Sequence, residues 1–149
     1  MKLDWHVCSW GELTTDFLYA ILELRSEVFI VEQTCIYQDI DAKDKKAKHV
    51  LGFYKNELIA YSRIFKPGDY FDKHSFGRAI IKENFRGKKL GFELVRNSVA
   101  EIGEELEIKI SAQYHLENFY KKNGFESIGS TYLEDGIPHI AMLRNSSIS

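Results

Sequence analysis

Phe76-Gly77-Arg78-Ala79-Ile80-Ile81-Lys82-Glu83-Asn84-Phe85-Arg86-Gly87-Lys88-Lys89-Leu90-Gly91 is the stretch on which the reading of this chain turns. Residues 76–81 form a short apolar strand. A basic turn over residues 82–89 follows, and Leu90, Leu94, Val95, Val99 and Ile102 then recur as the buried stripe of a long helix ending near Gly103. Backbone N–H groups at a helix N-terminus are unpaired and lie at the positive end of the dipole, which suits a phosphate or pyrophosphate. Four cations, Lys82, Arg86, Lys88 and Lys89, gather here in a chain that is acidic overall. The turn reads either as a phosphate site or as a solvated basic turn with two glycines for geometry. Its spacing fits neither G-x-G-x-x-G nor G-x-x-x-x-G-K-[ST].

Working outward, residues 5–10 alternate loosely as a first strand. Thr14 is positioned as an N-cap, and Phe17, Ile21, Leu24, Val28 and Val31 recur at helical spacing, which predicts a helix over 15–31. Residues 32–48 lose the period and read as a polar loop or a broken short helix. Residues 48–54 and 58–65 form a hairpin about Lys55-Asn56, and Pro67-Gly68-Asp69 is a second turn. Residues 107–112 alternate again, and 115–123 form a short helix closed by Gly124. Residues 125–132 and 139–144 are a closing pair of strands across the loop 134–138. The order β α β β β α β α β β contains a strand–helix–strand–helix unit, which needs a parallel pair and a right-handed crossover. The class is α/β.

With 149 residues, no repeat and no linker, the chain reads as a single domain whose tail from Asn145 to Ser149 frays. Twenty Lys and Arg against 22 Asp and Glu, a net charge of −2, argue against an electrostatic nucleic-acid binder. No apolar run has the length of a membrane span, and the opening residues lack the order of a signal peptide, so a cytoplasmic location is expected. Cys8 and Cys35 are too isolated for a disulfide framework or a metal site, and no metal is expected. Cys35 has no acidifying neighbour and is assigned to packing.

Arg86-Gly-Lys-Lys-Leu-Gly91 resembles the acyl-CoA-binding turn Arg/Gln-x-x-Gly-x-Gly/Ala of the GNAT superfamily of N-acetyltransferases, with Lys89 where the family has its middle glycine. Leu24-Arg-Ser-Glu-Val-Phe-Ile-Val-Glu-Gln-Thr-Cys-Ile-Tyr-Gln-Asp-Ile-Asp41 resembles the ElaA-like branch of that superfamily. So do Ala112-Gln-Tyr-His-Leu-Glu-Asn-Phe-Tyr-Lys-Lys-Asn-Gly-Phe125 and Asp135-Gly-Ile-Pro-His-Ile-Ala-Met142. Together these segments cover nearly the whole chain. The resemblance implies the GNAT fold, a mixed central sheet with splayed parallel strands and flanking helices. It also implies acetyl-CoA as cosubstrate in the splay. The pantetheine would run along the backbone of Ala79, Ile80 and Ile81, and the phosphates would sit on Arg86, Gly87, Lys88, Lys89, Leu90 and Gly91. Asn118 and Tyr120 match positions near the coenzyme, Tyr120 as hydrogen-bond donor to the departing thiolate.

The implied reaction is acetyl transfer to a primary amine, of a small molecule or a peptide, by direct attack in a ternary complex. An alkyl amine with a pKa near 10.4 is almost wholly protonated at pH 7, a penalty of roughly 4–5 kcal/mol before attack. His139 and His49 rank equally as proton acceptors, with His115 below them. Glu32, Asp39 and Asp41 are candidates for recognising a cationic acceptor, although interleaved lysines also fit a solvated loop. A CoA-sensing domain without turnover, an interaction domain using its aromatic surface, and a homodimer are left open.

Overall fold

The computed structural model describes residues 1–145; residues 146–149 of the expected fraying tail lie outside the described residues. Four strands, β1 (Asp4–Ser9), β2 (Lys48–Tyr54), β3 (Glu57–Phe65) and β4 (Ser75–Ile81), form an antiparallel sheet in the order β1-β2-β3-β4. A second antiparallel sheet has the order β5-β7-β6, from β5 (Ile108–Gln113), β6 (Glu126–Glu134) and β7 (Ile137–Arg144). The sheets meet at one parallel bridge, His74 to Ile108, where the Lys109 amide donates to the His74 carbonyl at 2.9 Å. Beyond it β4 and β5 share no ladder among the described residues. This is the mixed, splayed sheet that the sequence resemblance implied.

Helix α2 (Leu90–Ile102) and the short α3 (Glu117–Lys121) cover one face. Leu94, Val95, Val99 and Tyr120 pack there against Val50, Ile64, Phe76, Ile108, Ile110, Ala112, Ile140 and Met142. Helix α1 (Thr15–Arg25) covers the other face of the first sheet, with Ile21, Leu24 and, just past its end, Val28 against Leu51, Tyr61 and Ile80. Coverage of both faces explains why β3 is buried without a break from Leu58 to Phe65, Ser62 and Arg63 included.

Thr14 caps α1, its hydroxyl accepting from the Phe17 amide at 3.0 Å. The expected helix over 15–31 is α-helical only to Arg25 and continues as a π-helical segment, Ser26–Glu32. The wider turn leaves Phe29, Glu32 and Gln33 lining the gap between the sheets. The closing hairpin is longer than expected, because Asp135 and Gly136, at φ 52° and 77°, make the whole turn. No helix among the described residues is long and apolar enough to cross a membrane.

Candidate active site

Where β4 and β5 diverge, a cleft of about 710 Å³ lies between the sheets, lined by residues from both. Strand alternation sorts its walls. In β5 and β7, Ile110, Ala112, Ile140 and Met142 face α2 and α3, so Ser111, Gln113 and His139 face the opposite side.

The α2 side carries the basic turn. The first-turn amides of α2 have no intrahelical carbonyl to bond, and Gly87, Lys89, Leu90 and Gly91 line the cleft beside Ala79, Ile80 and Ile81. Lys89 occupies the left-handed region at φ 63°, which explains why a glycine suits this position and places the strain on the lysine. At Gly91 a Cβ would come within 3.2 Å of the Phe119 ring. Along β4 the pairing with β3 shifts register between Tyr61 and Arg63, and Arg78 sits at φ 49°. That bulge turns the Arg78 side chain towards Asp39 and locally bends the strand.

Tyr120 is buried beneath the turn, its ring against Phe76, Phe119 and Phe125. It lines the cleft, and its hydroxyl has no hydrogen-bond partner among the described residues. Burial alone pushes its pKa up to about 12, so the phenol keeps its proton at any physiological pH. Asn118 is exposed on α3 and does not line the cleft.

On the opposite side, His139 Nδ1 lies 2.7 Å from the Ile137 carbonyl, which fixes its N–H there and leaves Nε2 as the acceptor of the neutral ring. Nε2 is 3.4 Å from the Glu134 carboxylate, and the ring stacks on Tyr132. Ser111 joins this group through the Tyr132 hydroxyl at 2.5 Å and Glu134 at 3.4 Å. Gln33 and Gln113 exchange hydrogen bonds at 3.0 and 3.2 Å across the gap. His115 also lines the cleft, exposed.

Three candidates named with His139 and Glu32, namely His49, Asp39 and Asp41, take different places. His49 is fully buried outside the cleft, with Nδ1 2.6 Å from the Tyr61 hydroxyl and Nε2 2.9 Å from the Asp44 carbonyl. Both nitrogens are occupied, and burial holds its pKa below the ordinary histidine value, so it stays neutral as a core hydrogen-bonding residue. Asp39 and Asp41 do not line the cleft either. Asp39 accepts from Arg25 Nε and Arg78 Nε, both at 2.8 Å, and Asp41 accepts a bidentate pair from Arg63 at 2.8 and 2.5 Å. Asp44 links Arg25 and Arg63 at 2.6 and 3.0 Å. Burial would raise the Asp41 and Asp44 carboxyls, but the guanidinium groups outweigh it and hold both below the usual carboxylate range. The three aspartates therefore tie the polar loop to the scaffold, while Lys43, Lys45, Lys46 and Lys48 stay exposed. Glu32 does line the cleft, paired with Arg86.

The V-shaped gap between two sheets, with a helix N-terminus at its mouth, is matched in proteins of known family. Residues 18–145 match the Acetyltransferase (GNAT) domain. The chain belongs to the GNAT acetyltransferase family. Within it the chain falls in the ElaA-like branch, being 41% identical to protein ElaA of Escherichia coli K12 over 147 residues, 95% of this chain and 96% of that one. The crystal structure of E. coli ElaA superposes with a TM-score of 0.89 at 40% identity, covering 96% of this chain and 99% of that one. An acyl-CoA N-acyltransferase from Pseudomonas aeruginosa superposes at 0.86 with 36% identity, covering 95% and 99%. GNAT membership assigns the chain to acyl transfer. Sequence reasoning missed Glu134, Ser111 and Tyr132, and the arginines that hold the aspartates. Arg25 and Arg63 had a readable signal, one on the apolar stripe of α1 beside Leu24 and one inside the apolar run of β3.

Proposed function

We propose that this protein is an acetyl-CoA-dependent N-acetyltransferase that acetylates a primary amine by direct attack in a ternary complex. The observation that carries the reading is the unpartnered, protonated Tyr120 hydroxyl inside a cleft lined from two sides. One side offers α2 amides, cations and the bare edge of β4 to an acyl-CoA. Its pantetheine would lie along Ala79, Ile80 and Ile81 as an added strand. The other side offers Glu134 and His139 to an amine.

In this reaction the neutral amine attacks the thioester carbonyl carbon, and the carbon–sulfur bond breaks as the tetrahedral intermediate collapses. Tyr120 donates a hydrogen bond to the leaving thiolate. A phenol is a weaker acid than an alkyl thiol, so the bond stabilises charge rather than transferring the proton outright. His139 Nε2 accepts the proton that the amine sheds, directly or through water. Glu134 and Glu32 draw in a cationic acceptor. A nearby carboxylate favours the charged amine, so it aids binding and opposes deprotonation. Membership of a family with acyl-CoA N-acyltransferases supports the cosubstrate, and the acidic groups of the acceptor side support an amine.

The test is thiol release from acetyl-CoA against a panel of polyamines, amino acids, aminoglycosides and lysine peptides. Release that depends on one amine class is expected. Coenzyme binding without release across the whole panel would replace the enzyme by a sensing domain.

A further inference from the structure

Arg86 opens the turn that leads into α2, yet its donors are turned back on the protein. Nε donates to the Ile81 carbonyl at 2.8 Å, and the two terminal nitrogens donate to both oxygens of Glu32 at 2.6 and 3.0 Å. Glu32 comes from the π-helical segment and Arg86 from the turn between β4 and α2, so the pair is a strap across the mouth of the cleft. It is also accessible: the two side chains are 41% and 28% exposed. Exposed pairs of this kind are weakly held.

The neighbouring cations differ in how they are held. Lys82 is tied to Glu57 at 2.7 Å and Glu27 at 3.9 Å, which leaves Lys88 over the Phe85 ring and Lys89 at the start of α2. A phosphate ester seated on the α2 amides carries more charge and more acceptor oxygens than one carboxylate, and a guanidinium fork matches it bidentately. Glu32 cannot stay beside such a group without like-charge repulsion.

We infer that the Glu32–Arg86 pair is a latch on the coenzyme end of the cleft, opened by the phosphates of an acyl-CoA. The phosphates take Arg86 from Glu32 and leave the Glu32 carboxylate unpaired in the cleft. The inference rests on the acyl-CoA reading above. Its distinctive consequence is that Glu32 competes with the coenzyme for Arg86, so removing the carboxylate's charge tightens coenzyme binding.

Calorimetric titration of the full chain with free CoA tests this in the wild type, Glu32→Gln, Arg86→Gln and the double variant, each checked for an unchanged melting temperature without ligand. Glu32→Gln is expected to bind CoA about two- to fivefold more tightly than wild type. In the Arg86→Gln background the same substitution is expected to leave the affinity nearly unchanged, because there is no arginine to release. Plain repulsion between Glu32 and the coenzyme would act in both backgrounds. An equal gain in the two, or no gain in either, overturns the latch while leaving the acyl-CoA site standing. No CoA binding by any of the four chains overturns both.

Discussion

The loop after α1 and the cleft beside it use the same kinds of side chain in opposite ways. Behind the loop, Arg25, Arg63, Asp39 and Asp44 are buried and share Asp41 and Arg78 with them in one network, where Arg63 Nε alone is left without a partner. In the cleft, the Tyr120 hydroxyl has no partner among the described residues, and the first-turn amides of α2 have no intrahelical carbonyl to bond. A polar group that faces a cleft without a protein partner must bond to water or to a ligand, so the Tyr120 hydroxyl marks a place where a ligand can supply the bond. The saturated region fixes position and the unsaturated region receives. Glu32 and Arg86 stand between the two, satisfied by each other only while nothing better is bound.

The largest expected effect breaks the saturated side. Asp44→Asn leaves Arg25 and Arg63 buried without their shared counter-charge, and a loss of about 3–5 kcal/mol is expected in denaturant unfolding. Acid should expose the same dependence. Asp41 and Asp44 have native pKa values below the unfolded carboxylate value of about 3.9, so the unfolded chain takes up protons first. Their stabilisation is fully present above that value and is lost as pH falls through the native values. A flat stability between pH 5 and pH 2 would mean that the network is not held by ionised aspartates.

The unsaturated side should respond in rate and not in stability. Tyr120→Phe keeps the ring packing and removes only the hydroxyl, so turnover is expected to fall by about 10²-fold while unfolding changes by less than about 1 kcal/mol. Wild-type kcat in that variant would return Tyr120 to packing. The two histidines sharpen the contrast. His139→Ala should lose both rate and the acid-side inflection of kcat/KM, at a cost of about 10²-fold. His49→Ala should keep the inflection and lose stability, since it strands the Tyr61 hydroxyl and the Asp44 carbonyl. An inflection that survives in both variants would assign the proton to water.

The smallest effect lies at the turn itself. Lys89→Gly relieves a left-handed backbone, with a stability gain of up to about 1 kcal/mol, partly offset by the freedom of glycine in the unfolded chain. The lost charge should weaken CoA binding at the same time, read by calorimetry. Gain in both would make Lys89 a steric obstacle rather than a phosphate ligand.

Much of this contrast could not be read from the chain. The elements were legible where local chemistry dominates: Thr14 as a cap, Lys55 and Asn56 both at positive φ between β2 and β3, and the stripe from Leu90 to Ile102 closed by Gly103. The basic turn and Tyr120 were legible through their resemblance to the family. Asp39 and Asp41 looked like solvated or substrate-facing acids because lysines lie close to them in sequence, whereas their arginine partners lie 14 to 39 residues away. His49 and His139 were indistinguishable as strand histidines, since only the pairing of strands decides which one meets the cleft. The π-helical widening after Arg25 also left no mark, because the apolar period continues through it.

The splay between β4 and β5 has one more consequence, for solubility. Unpaired strand edges normally template association with other chains, and here two lie opposite each other with a single bridge at their root. They are set inside a wedge walled by α2, α3 and the π-helical segment, where a thin extended arm can lie and a strand still attached to its own sheet cannot. The geometry that offers a backbone to a ligand is thus also what keeps that backbone from becoming the nucleus of an aggregate.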